Sequence, residues 1–336
     1  MTGQTDKITP WAARLNDLGK RRRPCFFLMD FEQQMPRVWD LDEASADLPA
    51  FHFPDRPETG VVPEGLLPVN LLAEHVPEET FRTAFDIVQK GLQLGDSFLT
   101  NLTFPTRVRL AGDLDDVYWR SDAKYRILLP GQFVCFSPET FVTISPTGYI
   151  ESRPMKGTTQ DTPADREALL FSPKEIAEHA TIVDLIRNDL SQVAKRVRVT
   201  DYRYFHKIAT SSRGLVQTSS KVGGQLPDDW HDRLGTILAR LLPAGSVSGA
   251  PKPATLDIIR RAESGPRGYY CGIGGYYDGR SVDTCVMIRF IEKTATGEYY
   301  FRSGGGITAR SNWREEYEEL KTKIRIPLSP ASFSIH

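Results

Sequence analysis

Residues 268–307 read GYYCGIGGYYDGRSVDTCVMIRFIEKTATGEYYFRSGGGI. Aromatic and β-branched residues gather in the runs GYYCGIGGYYD, TCVMIRFIE and EYYFRSGGG, and the turn-forming stretches DGRS and TATGE lie between them. This punctuation predicts three strands joined by hairpin-like turns. Strands linked so closely pair antiparallel, because a parallel pair needs a crossover of about a dozen residues or more.

Outward from this stretch the helices come in mixed runs, not in strict alternation with strands. SPKEIAEHATIVDLIRNDLSQVAKRV, residues 172–197, is the strongest. Ser172 and Pro173 give it an N-terminal signal. Ile176, Ala180, Val183, Ile186 and Leu190 form one stripe, which Ile182 and Leu185 widen, so burial on most sides is expected. Phe81, Phe85, Val88 and Leu92 predict a helix that Gly95 closes. WHDRLGTILARLL, KPATLDIIRRAE and REEYEELKTKI read as three more. Residues 24–40 read as a hairpin and 96–110, DSFLTNLTFPTRVRL, as a strand. Residues 131–152 read as two strands joined around Pro146-Thr147-Gly148, with a turn at Ser137-Pro138. Residues 41–76, rich in Pro, Asp and Glu, read as irregular. The pattern is α+β with antiparallel sheet. With no repeat and no linker after residue 80, the chain reads as a single domain over 1–336.

Composition excludes several classes. The chain has 336 residues, 40% hydrophobic and 25% charged, with a formal net charge of −1. It offers no field to gather nucleic acid or anionic lipid. The basic run GKRRRP, residues 19–24, has no interleaved aromatics and reads as a solvated turn. Cys25, Cys135, Cys271 and Cys285 show no Cys-x-x-Cys spacing, so neither a zinc site nor a disulfide framework is indicated. Their apolar flanks predict buried, reduced thiols and a cytoplasmic protein. No signal-peptide pattern is present, and no run approaches the roughly 20 apolar residues of a membrane helix.

Some residues could carry chemistry. Glu175 and Glu178 share a helix face, as do Glu316 and Glu319. Each pair is either a solvated face or part of a Mg²⁺ site, since Mg²⁺ takes a few carboxylates plus water and substrate oxygens. Gly304, Gly305 and Gly306 form either a glycine bulge or a cradle of backbone N–H groups for an anion. AGSVSGAPK, residues 244–252, lacks the Gly-Lys-Ser/Thr ending of a P-loop and reads as the approach to a helix. His179 reads as a core or supporting residue. Lys156, in ESRPMKGTTQ, sits in what reads as a tight bend, either at the surface or aimed inward at a substrate.

Together, in order, these motifs resemble the chorismate-utilising enzymes. The resemblance runs from about residue 80 to 325, through GDSFLTNLT, SPETF, RPMKGT, KEIAEHATIVDLIRNDL, LLPAGSVSGAPK, RGYYCGIGGYY, SGGGI and EEYEELKTK. The part before residue 78 is short for the family. The resemblance implies two large, mostly antiparallel sheets flanked by helices, with chorismate as substrate and Mg²⁺ as cofactor. By motif position Glu178 and Glu319 look like metal ligands, with Glu175 and Glu316 supporting them. Tyr270, Arg289, Gly304 to Gly306 and Lys323 fall where the family holds the substrate's carboxylates, and Ser248 falls at a substrate-contacting hydroxyl.

Lys156 then separates the reactions. Members with lysine in Pro-x-Lys-Gly-Thr look like aminodeoxychorismate synthases, a transferase activity leading to p-aminobenzoate and folate; anthranilate synthases have alanine there. Leu99 stands where isochorismate and salicylate synthases carry a water-activating lysine. Gln217 replaces a histidine of many members, which is consistent with a product that keeps its enolpyruvyl group. The implied chemistry makes Lys156 the nucleophile, attacking as an uncharged amine, Glu139 the general acid and Thr158 a positioning residue. No cysteine sits in a glutaminase-type elbow, so a separate glutamine amidotransferase subunit would supply the ammonia. The alternatives within the resemblance are anthranilate synthase component I and a non-catalytic chorismate-binding member.

Overall fold

The computed structural model describes residues 8–208 and 214–328. In chain order it runs α1 (Pro10–Lys20), β1 (Cys25–Met29), β2 (Arg37–Asp40), β3 (Ala50–His52), β4 (Asn70–Glu74), α2 (Glu78–Gln93) and β5 (Leu99–Ala111). Next come α3 (Leu114–Arg120), β6 (Tyr125–Leu129), β7 (Phe133–Ser137), β8 (Thr140–Ile144), β9 (Tyr149–Ser152) and β10 (Met155–Gln160). After these come α4 (Pro163–Phe171), α5 (Pro173–Ser191), β11 (Lys195–Ile208), β12 (Leu215–Gln225), a 3₁₀ turn at Trp230–Arg233 and α6 (Leu234–Leu241). The last are α7 (Gly245–Ser248), β13 (Gly249–Ala250), α8 (Lys252–Ala262), β14 (Ile273–Tyr277), β15 (Val282–Val286), β16 (Phe290–Lys293), β17 (Tyr299–Ile307) and α9 (Trp313–Thr322).

The strands form two large sheets, as expected. The first follows β10-β12-β9-β8-β15-β14-β1-β2, with β11 also on β12. The second follows β13-β5-β17-β16-β7-β6-β3, with β4 on β5. The named neighbours pair antiparallel. One buried cluster runs from Leu15 of α1 and Leu238 of α6 through Phe27 of β1 to Ile127, Phe133 and Phe290 of the second sheet. Another packs Phe81, Phe85 and Val88 of α2 on Leu102 and Phe104 of β5, with Ile258 and Leu320.

One expected strand and one expected turn prove to hold corners between the sheets. TCVMIRFIE splits: β15 ends in the first sheet at Val286 and β16 begins in the second at Phe290. Arg289, in the corner, has φ 55, a left-handed backbone that non-glycine residues adopt at a cost. The expected turn at Ser137-Pro138 is the matching corner, where the chain leaves β7 and enters β8 in the other sheet. Residues 131–152 therefore hold three strands, not two. The two corners are tied together. Phe136 N–H donates to Arg289 O at 3.0 Å and Val286 N–H to Glu139 O at 3.1 Å. The Ser137 hydroxyl donates to Val286 O at 2.7 Å.

Other differences have local causes. Residues 41–76 include β3 and β4, edge strands whose order comes from their partners β6 and β5. The segment 172–197 is helical only to Ser191. Helix α5 buries one side, through His179, Ile182, Val183, Leu185, Ile186 and Leu190. Ile176 is 39% exposed and Ala180 is also exposed, so burial on most sides is not observed. The N-terminal half of α5 lies at the surface because its Glu175–Glu178 face closes a cavity. The basic run ends α1 in a turn, with Arg23 paired to Asp40 at 2.8 Å. All four cysteines are buried and unbonded. Among the described residues no helix is long and apolar enough to cross a membrane.

Candidate active site

A cavity of about 590 Å³ opens where the two corners meet α5, α9 and the glycine strand β17. It is lined by Glu139, Lys156, Thr158, Glu175, Glu178, Tyr270, Arg289, Gly304, Gly305, Gly306, Glu316, Glu319 and Lys323. Gln217 lines it too, opposite Thr158 in the strand pairing. Ser248 does not. It is fully buried, and its hydroxyl donates to Ala244 O at 2.9 Å within the short helix α7. Residues two apart on a helix do not face the same way. Of the two serines in this segment it is Ser246 that lines the cavity, and its hydroxyl donates to Glu139 Oε1 at 2.5 Å.

The bend around Lys156 is a bulged strand. Lys156 stands opposite Thr218 and Thr158 opposite Gln217, so Gly157 is an extra residue in β10. Such a bulge re-aims the side chain beside it. Gly157 has φ +70, and a Cβ there would lie 2.6 Å from both Glu175 Oε2 and Leu169 Cδ1. Only glycine lets α5 bring Glu175 this close. Lys156 Nζ lies 3.7 Å from Glu178 Oε2. It also lies 3.3 Å from the point a Cβ on Gly306 would occupy, with Leu99 Cδ1 3.1 Å from that point. The amine is thus turned inward, toward the glycine strand and the apolar Leu99.

The glycines form an open edge. Strand β16 pairs with β17 only as far as Arg302, so residues 303–307 pair with β5 alone. Thr103, opposite Gly304, gives its N–H to Glu263 at 2.9 Å and not to Gly304. The Gly304 carbonyl therefore points away from β5 and accepts from Lys323 Nζ at 2.8 Å. By the alternation of an antiparallel ladder, Gly306 turns its N–H to the same free side.

Burial shifts several groups. It pushes the Glu139 carboxyl upward, against the Ser246 hydrogen bond and the charge of Lys156. Glu175 is raised by burial and by Glu178, and Glu316 by burial and by Glu319, with the Ser311 hydrogen bond opposing. Burial acts on Glu319 in the same direction, but Lys323 at 2.7 Å holds it below the usual range. Burial lowers Lys323 despite Glu319. Burial would also lower Lys174, yet the charges of Glu178, Glu316, Glu315 and Glu319 hold it up. His179 is fully buried, donates to or accepts from Ser220 at 2.6 Å, and is pushed down to about 4 by burial and Arg203.

The four glutamates offer only hard oxygen donors, which suits Mg²⁺ chemically. The charged forms of Glu175 and Glu316 are the ones a cation would relieve. The spacing is less complete. Among the described residues no three carboxylate, imidazole or thiol groups stand close enough to hold an ion together. Lys156, Lys174 and Lys323 stand among the glutamates instead.

Sequence reasoning missed the supports. Arg267 is fully buried beside Glu263 at 2.6 Å and donates to Val247 O and Asn101 O, both at 2.6 Å. It thus ties two walls of the cavity. Lys252 pairs with Asp189 at 3.0 Å and fixes the α7–α8 segment to the end of α5. Both residues lie inside the quoted motifs, yet spacing alone does not say which charges are buried.

A family profile described as chorismate binding enzyme matches residues 30–329. An uncharacterized PabA-like protein of Pasteurella multocida is 46% identical over 317 residues, covering 93% of this chain and 97% of that protein. Aminodeoxychorismate synthase component 1 of Salmonella typhimurium is 33% identical over 261 residues, covering 73% of this chain and 56% of that protein. The crystal structure of anthranilate synthase component I from Streptococcus pneumoniae superposes with a TM-score of 0.64 at 27% identity, over 77% of this chain and 59% of that one.

Proposed function

The chain belongs to the chorismate binding enzyme family, and from that premise we propose that it is an aminodeoxychorismate synthase component I, replacing the C4 hydroxyl of chorismate with ammonia. The observation that carries this reading is the bulged strand that turns Lys156 into the cavity, beside Gly306 and Leu99. A side chain so placed can reach a ring lying on the glycine edge.

Lys156 must first part from Glu178 and lose a proton. Its nitrogen then bonds to C2, both ring double bonds shift, to C1–C6 and C4–C5, and the C4–O bond breaks. Glu139, whose carboxyl burial raises above its ordinary range, gives its proton so that the hydroxyl leaves as water. Ammonia adds at C4, the bond from C2 to lysine breaks, and the released proton restores Glu139. The balance is chorismate plus ammonia giving 4-amino-4-deoxychorismate plus water. Tyr270, Arg289, Lys323 and the free edge of Gly304–Gly306 hold the substrate's carboxylates. Thr158 and Gln217 border the reacting ring.

Glu178 and Glu319, supported by Glu175 and Glu316, would hold Mg²⁺, which draws electron density from the ring when bound. The ammonia would come from a separate glutamine amidotransferase, in the cytoplasm, and the product would feed p-aminobenzoate and folate synthesis.

The test is product identification by chromatography and mass spectrometry, from chorismate and ammonium with and without Mg²⁺. Aminodeoxychorismate is expected, and only with Mg²⁺. Anthranilate alone would refute the role of Lys156, and isochorismate the significance of Leu99. Chorismate binding without turnover would make the chain a non-catalytic member.

A further inference from the structure

The cations around the cavity divide into two groups. Lys156 pairs with Glu178 at 3.7 Å, Lys174 with Glu315 at 3.8 Å, Lys323 with Glu319 at 2.7 Å and Arg302 with Glu292 at 2.7 Å. Arg289 and Arg325 also line the cavity, and neither makes an ion pair with a described residue. The two converge on one carbonyl. Arg289 Nη1 donates to Lys323 O at 2.7 Å, and the backbone N–H of Arg325 donates to the same oxygen at 3.0 Å. Burial, and after it the charge of Arg325, holds the Arg289 guanidinium below its ordinary range. Arg289 sits in its left-handed corner inside, while Arg325 is exposed at the rim.

This end of the cavity therefore carries two positive charges that no described carboxylate pairs with directly, although the charge of Glu319 reaches Arg289. Of the glutamates, Glu178 and Glu319 are paired with Lys156 and Lys323. An anion with two carboxylates set apart on one ring would put one near the glycine edge and the other at the arginines. We infer that Arg325 is a second anchor for the enolpyruvyl carboxylate of the substrate, holding from the rim the group that Arg289 holds from within. The inference rests on the proposed reading of the cavity as a chorismate site. A guanidinium fork can grip a carboxylate with two parallel hydrogen bonds. Arg325, following helix α9, would also steer the dianion inward, an effect that salt screens.

Steady-state kinetics with chorismate and ammonium, at low and high ionic strength, test this on Arg325→Gln and Arg325→Lys. An exposed charge contact contributes up to about 1 kcal/mol, so KM should rise about fivefold in Arg325→Gln with kcat within about twofold. The salt dependence of kcat/KM should flatten. Arg325→Lys should recover the salt dependence and only part of the affinity. Circular dichroism checks that each variant is folded; if Arg325→Gln is not, Arg325→Lys decides on KM. An unchanged KM, or a fall in kcat with KM unchanged, overturns the inference. If the unmodified chain neither binds nor converts chorismate, it is the reading of the cavity that has failed, which is known before any variant is made.

Discussion

Replacing Gly157 by alanine is a small change with a large expected effect. The backbone there has φ +70, and holding a Cβ in that region costs about 1–2 kcal/mol. The new methyl would lie 2.6 Å from Leu169 Cδ1 and 2.6 Å from Glu175 Oε2. Leu169 is only 7% exposed and has little room to yield, so overpacking adds about 1–3 kcal/mol. The sum, about 2–5 kcal/mol, is a large share of the roughly 5–15 kcal/mol that holds a typical protein folded. Activity should suffer separately. If the bulge flattens or tilts, Lys156 moves, and a misplacement on the order of 1 Å costs about 10²-fold in turnover. Melting curves and chorismate turnover on the same preparation read both effects. The double variant Gly157→Ala with Leu169→Ala separates them: it removes one clash, so part of the stability lost through overpacking should return while turnover stays low. A Gly157→Ala protein with unchanged melting and full turnover would refute the claim that the glycine bulge aims Lys156.

Lys156→Ala should abolish any covalent adduct with chorismate in acid-quenched samples read by intact-protein mass spectrometry, and should lower turnover by about 10²-fold or more; an adduct that persists would reassign the nucleophile. Ser246→Ala removes a hydrogen bond that lowers the Glu139 carboxyl, so burial would raise it further. A general acid must be protonated, so the alkaline limb of kcat/KM should move to higher pH, and an unmoved or lowered limb would detach Glu139 from the chemistry. The raised carboxyl binds its proton more tightly folded than unfolded. Its contribution to stability is therefore fully present below the unfolded value and is lost as pH rises through the folded one, and in Ser246→Ala that loss should extend to higher pH.

The parts of the fold legible in the sequence were those with local signals. Helix α2 follows from Phe81, Phe85, Val88 and Leu92, which bury one face as their spacing requires. The hairpin turns at 278–281 and 294–298 also carry their own residues. The corners do not. Residues 284–292, TCVMIRFIE, read as one strand, because a chain that leaves one sheet for another keeps burying residues such as Val286, Met287, Phe290 and Ile291 and so keeps its composition. Only the backbone of Arg289 records the change of direction. Strands β3 and β4 were equally hidden, since their order lies in β6 and β5, distant in sequence.

The site was legible to the extent that its residues project from regular elements. Glu175 and Glu178, or Glu316 and Glu319, must share a face if their segments are helical. Ser248 failed for the complementary reason. In a helix of four residues, Gly245–Ser248, a motif that shows a serine cannot say which of two serines turns inward, and it is Ser246 that reaches Glu139. The distribution of charge was the least legible. Opposed to the glutamates stand Lys156, Lys174 and Lys323, so the cavity balances its acids with its own ammonium groups. One of those ammonium groups is the proposed nucleophile, and it is held by Glu178, so the reactivity of position 156 depends on a carboxylate that helix α5 supplies and not on its own strand.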